Sequence, residues 1–202
     1  MRVTSRTRVR AAASAAFLLA FTSVIALSSP AQATDVPTVD ASGTFTFTTN
    51  PGILPTWESA GISIVGISPG SVITTTGGLN ARITLPVVAK TGTANATAGG
   101  FRLLNSETGL SVRCQVPTVD TRARLVNCVF ADGSERSLFV ITAIADRFKV
   151  TDSDSITTFF RGIDMSFVDS VSAASLNTAL KVNVFSASVS VARGVLEVSR
   201  TL

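Results

Sequence analysis

The chain has 202 residues, with 17 Lys and Arg, 13 Asp and Glu, two Cys, and neither His nor Tyr. Four of the cations fall in the first ten residues and every acid follows Thr34, so the remainder carries 13 charges of each sign. That balance gives no clustered positive field of the kind phosphate-backbone binding needs, so nucleic acid is not expected as a partner. Without histidine, a Ser–His–Asp or Cys–His nucleophile system cannot be assembled, and the usual zinc, copper and haem-iron ligand sets are missing.

Arg2, Arg6, Arg8 and Arg10 precede an uncharged apolar run from Ala11 to Leu27, which ends in Ser-Ser-Pro-Ala-Gln-Ala. Small residues at Ala31 and Ala33 complete the pattern of a secretory signal, residues 1–33, with cleavage expected after Ala33. No later segment has the length of a membrane span, so no stable span is expected after cleavage. Residues 34–42 form a short polar stretch with Pro37, expected to be a flexible leader. Residues 43–202 are then expected to form a single β-rich domain.

From Gly43 onward the pattern is short β-like runs separated by Gly, Pro, Asn and Asp. Gly43–Thr49 alternates Phe45 and Phe47 with threonine, the period of a half-buried strand. Asn50-Pro51-Gly52 breaks it, and Trp57 is placed in the loop that follows. Gly61–Ile67 and Leu79–Val88 alternate again, with Pro86 suggesting an edge position or a strand end. Lys90–Gly100 reads as a flexible link. Asn95-Ala96-Thr97 inside it matches a glycosylation sequon, to which a bacterial-type signal gives little weight. Phe101–Leu104 and Leu110–Val116 flank a hairpin-like connection, and Ala123–Phe130 leads to an Asp132-Gly133 turn. Arg136–Ala145 reads as a mostly buried strand, Asp146–Ser155 as polar and turn-prone, and Ile156–Val168 as two strand pieces bent near Gly162. Ala173, Leu176, Ala179 and Leu180 recur at helical spacing, giving one short helix near 172–180. Ser172 is expected as its cap, and Val171 and Leu176 as a staple. Strands return from Lys181, with shifts of face at Phe185 and Gly194. The fold class is therefore all-β: an antiparallel β-sandwich or barrel with one short helix.

Cys114 and Cys128 both lie in β-like runs. Export places them in an oxidising space, two cysteines cannot complete a structural zinc site, and no Cys-x-x-Cys is present. A disulfide between neighbouring strands is the expected reading, closing a loop of about 15 residues. Asp152 and Asp154 resemble the start of a calcium loop but lack its later ligands, so a solvated turn is expected. Asp164 and Asp169 lie on either side of Met165–Val168, but two single Asp in one run cannot show the facing geometry a glycosidase pair needs. A single Trp is thin support for a carbohydrate platform, and the Phe residues fall in core-like runs.

Several stretches carry a resemblance: Leu54–Ile64 (LPTWESAGISI), Gly77–Val88 (GGLNARITLPVV), Ala98–Asn105 (AGGFRLLN), Val116–Ser134 and the Ala-rich helix with its Leu-Asn pair in Ser170–Phe185. In layout they resemble the HtaA-type and related secreted β-rich surface domains of high-GC Gram-positive bacteria, over Gly43 to Val198. The resemblance implies an extracellular, β-rich, non-catalytic domain. Haem-transport members hold the iron with a Tyr supported by a His. This chain has neither, so no haem ligand is carried over and no cofactor or metal is expected. The expected function is a secreted, non-enzymatic surface or interaction protein that binds an envelope polymer or a surface protein. The alternative is a carrier of a small apolar ligand in a barrel or sandwich cavity.

Overall fold

Strand β1 (Thr38–Thr49) alternates as the sequence demands, with Phe45 and Phe47 turned inward and Thr44, Thr46 and Thr48 outward. The computed structural model describes residues 38–75 and 77–202. The chain continues through α1 (Ile53–Ser59), β2 (Ile62–Ile67), β3 (Ser71–Thr74), β4 (Ala81–Thr91), β5 (Ala94–Thr97) and β6 (Gly100–Asn105). Next come β7 (Ser111–Asp120), β8 (Leu125–Val129), β9 (Glu135–Thr151), β10 (Ser155–Phe167), α2 (Ser170–Leu180) and β11 (Ser190–Thr201). Every strand pairing is antiparallel. The order β4-β1-β11-β10-β9-β8 closes through β7 and β5 into an eight-stranded barrel. The fold is thus the barrel of the two expected all-β forms, with a second short helix that the sequence pattern did not reveal.

Three further strands widen one end of the barrel. The outer edge of β4 pairs with β3 at Ala81–Thr84 and with β5 at Val87–Thr91. Pro86 sits where the partner changes, so its missing N–H costs no ladder bond there. Its carbonyl still accepts from the Ala98 amide at 2.8 Å. The expected strand end at Pro86 is therefore a mid-strand junction. Residues 38–42, expected in a flexible leader, already run in β1: Thr38 to Asp40 pair with Thr91 to Ala89 across a bulge before Gly43. The link over Lys90–Gly100 holds β5, whose Asn95 and Thr97 side chains are fully buried. Asn95 donates to the carbonyls of Thr93 and Val119, so the sequon is a core hydrogen-bonding residue in the folded chain. Gly162, at φ 60, is the extra residue that shifts the β10–β11 register between Arg161 and Ile163.

Both helices lie at the widened end of the barrel. Gly52 starts α1 in the left-handed conformation, and Leu54 and Trp57, three positions apart, bury the same face. Trp57 is therefore a core residue 5 % exposed, packed on Phe185 at 5.1 Å between ring centroids. The cap of α2 is Asp169, whose carboxylate accepts from the Ser172 amide at 2.7 Å, and not Ser172 itself. This shift leaves Val171 in the first helical turn and 70 % exposed, so the expected staple does not form. Ala173, Leu176 and Leu180 pack inward, and Lys181 ends the helix in the left-handed region. Asn105, 2 % exposed, donates to the Leu180 carbonyl at 2.8 Å and so satisfies an otherwise orphaned helix-end acceptor.

A chain of aromatic rings fills this end: Phe47 against Phe101, Phe101 against Phe139, Phe139 against Phe167, and Phe167 against Phe185. The space left among Phe47, Trp57, Phe101 and Phe139 is only about 20 Å³. That is room for one water at most. Cys114 and Cys128 form a disulfide between β7 and β8, with Cα atoms 4.9 Å apart and both residues buried. It lies beyond a bulge at Val116 and Pro117, where the β7–β8 ladder is otherwise held by the single pair Gln115 and Val129. Among the described residues no helix is long and apolar enough to cross a membrane.

Candidate functional site

The end of the barrel away from the helices is open. Strands β9, β10 and β11 rise on one side, while β8 reaches up β9 only as far as Val140. Beyond it, the Ile141 amide donates to the Arg124 carbonyl, and among the described residues Ala143–Thr151 has only β10 as a strand neighbour. This stagger follows from closing a tilted sheet, in which each strand is displaced along its neighbour. It produces a high curved wall of three strands facing a low wall made by the β4–β5 and β7–β8 turns.

Between the walls lies a cup of about 610 Å³. Its floor is apolar, with Ile144, Phe160 and Val198, and Ile156 lines it nearer the β9–β10 turn. Its sides carry five cations, namely Lys90 from β4, Arg122 from the β7–β8 turn, Arg147 and Lys149 from β9, and Arg200 from β11. Among the described residues no carboxylate lines it. The alternation of a strand explains the placement: Arg147 and Lys149 of β9 face inward, as do Ile156, Thr158 and Phe160 of β10. The residues between them form the outer surface. There Phe148 stacks on Phe159 at 4.8 Å and Arg161 covers Phe148 at the same distance.

The five charges are held without neutralising partners. Among the described residues, ion pairs link only Arg136 with Asp132 and Arg193 with Asp164. The Arg147 guanidinium lies 5.2 Å above the Phe160 ring, which fixes it over the floor. Lys90 is half-buried and donates to Asn95 Oδ1 at 3.4 Å. Burial, followed by the charges of Arg200 and Arg147, holds its ammonium below the usual 10.5; Asp120 opposes this and Lys149 adds to it. Asp120 is the nearest acid, but its Oδ1 accepts from Thr93 Oγ1 and from the Arg122 and Ala123 amides, each at 2.9 Å. Burial of this carboxyl works against its ionisation. The Ala123, Thr93 and Arg122 hydrogen bonds outweigh it and hold Asp120 below the usual 3.8. The acid is thus spent on locking the turn that presents Arg122.

The other residues singled out in the sequence do not converge. Asp152 and Asp154 sit in the exposed β9–β10 turn, and no group of three metal-ligating side chains exists among the described residues. Asp164 engages Arg193 at 3.4 Å, and Asp169 caps α2. Charge counting missed the cup because its five cations come from four separate segments. The only linear signal was Arg147 and Lys149 at strand spacing, inside a stretch read as a turn.

The chain is a β-barrel covered by helices at one end and carrying a cationic cup at the other. The chain resembles the crystal structure of the haem-binding protein HtaB from Corynebacterium glutamicum, with a TM-score of 0.53. The match covers 82 % of this chain and 98 % of that one at 12 % identity, a likeness of fold. No family model and no curated protein matches the sequence. Haem iron does not fit the residues present. The chain has no His or Tyr, its two cysteines are joined, and Met165 is fully buried in the barrel.

Proposed function

We propose that this chain is a non-catalytic binding domain that works outside the cytoplasm and captures an anionic ligand or partner segment in the cup. The observation that carries this reading is the convergence of Lys90, Arg122, Arg147, Lys149 and Arg200 on one concave surface, with no facing carboxylate among the described residues. Holding five like charges together is unfavourable in the empty state, and an anion relieves that repulsion. The disulfide suits an oxidising compartment, in line with the export signal expected at residues 1–33, which lie outside the described residues. A binding role also suits the chemistry of the chain, which offers no histidine and employs Asp120, Asp164 and Asp169 structurally. Carriage of an apolar ligand inside the barrel is the weaker reading, because the interior space is about 20 Å³.

Titration calorimetry with inorganic pyrophosphate as probe tests the proposal. Binding should weaken at least tenfold in the Arg147→Glu/Arg200→Glu variant and fall as salt rises. Both side chains are exposed, so thermal unfolding should be nearly unchanged. Absence of binding, or binding indifferent to the double reversal, refutes the proposal.

A further inference from the structure

Resting on that reading, we infer that the cup's partner is an extended acidic segment of another protein, which adds as a strand to the free edge of β9. The edge runs over nine residues, Ala143–Thr151, about 30 Å at strand rise. Among the described residues its backbone groups on the side away from β10 have no strand partner. The ladder to β10 runs without a register shift from Ala143 to Thr151, and no proline interrupts it. Such an edge is a template for another strand.

The alternation of β9 sets the chemistry of the added strand. Its inward side chains would lie beside Arg147 and Lys149 and face Lys90 and Arg122 across the cup, which calls for Asp or Glu. Its outward side chains would lie beside Phe148 and Val150, which are 37 % and 43 % exposed, and this favours β-branched or aromatic residues. A second copy is a poor occupant: pairing two β9 edges would bring Arg147 and Lys149 of each copy together in one wall. Edge charges also deter aggregation, but that role does not explain Lys90. It stands on a strand paired on both sides, with Val39 and with Asn95, and has no edge to guard.

The test uses a capped heptapeptide alternating Glu and Val, the matching Lys–Val peptide, and inorganic pyrophosphate. The Glu–Val peptide should bind at least tenfold more tightly than either control and slow amide exchange in residues 143–151. The Arg147→Glu/Lys149→Glu variant should reverse the preference toward the Lys–Val peptide, which a misfolded variant would not do. If pyrophosphate binds as well as the Glu–Val peptide, or the peptide binds without protecting β9, strand addition is wrong while the anion-binding cup stands. If neither anion binds, both readings fail. Self-association through β9 in sedimentation experiments also overturns the inference.

Discussion

Reduction of the Cys114–Cys128 disulfide should lower global stability by about 3 kcal/mol. The two residues are 14 apart in sequence. In the chain-entropy description, opening a loop of about 15 residues returns roughly 10 cal/mol/K to the unfolded chain, which is about 3 kcal/mol at room temperature. The folded state should lose little, because both strands keep other neighbours: Cys114 is paired with Phe101 of β6, and Cys128 with Arg136 of β9. For a domain of this size the change corresponds to a Tm lower by about 6–12 °C. Urea unfolding of the oxidised protein and of the same protein held reduced measures it, with tryptophan fluorescence as the readout, since the only Trp lies in the core. Hydrogen exchange should also rise locally beyond the Val116–Pro117 bulge, where one registered pair remains to hold β7 to β8. A difference below about 1 kcal/mol, or equal protection on both sides of the bulge, refutes the reasoning.

Lys90→Met should raise thermal stability while weakening pyrophosphate binding, because it removes a charge that burial and Arg200 already disfavour. With Lys90 lowered in the folded state, the unfolded chain holds more protons between that lowered value and 10.5. Stability should therefore rise with pH across this window in the wild type, and the slope should flatten in Lys90→Met, as thermal scans in alkaline buffers would show. Asp120 and Asp169 are depressed in the folded state. Their contributions are in place above the usual 3.8 and should be lost as pH falls through the lowered folded values; Asp120→Asn should soften this acid limb. At Gly99, φ 76, an added Cβ would run into the Gly70 amide nitrogen and the Ile67 carbonyl oxygen. Gly99→Ala should cost about 3 kcal/mol by urea unfolding, combining left-handed strain with overpacking.

The barrel was legible where side-chain alternation reports a buried face, as at Phe45 and Phe47 or Ile83 and Leu85. The disulfide was legible too, since compartment and cysteine count left few alternatives. Alternation failed where the inward face of a strand carries polar or charged groups. Asn95 and Thr97 looked like a flexible link because their burial depends on carbonyls of β7, which are distant in sequence. The second half of β9 looked like a turn because its inward face is charged. The start of α2 was misplaced by three residues because Asp169 and Ser172 are both good caps, and the approach of the chain from β10 decides between them.

Composition by itself settled which chemistries are closed to this protein: with no His, no Tyr and only two Cys, their absence holds in any fold. The period of the apolar residues determined that it would be built from strands. Barrel closure, and with it the cationic cup, was decided only by tertiary structure. Five cations balanced by acids along the chain become unbalanced in space, because strand stagger turns Lys90, Arg122, Arg147, Lys149 and Arg200 toward one cup. Net charge is a sum over the sequence; a binding field depends on where the strands place each charge.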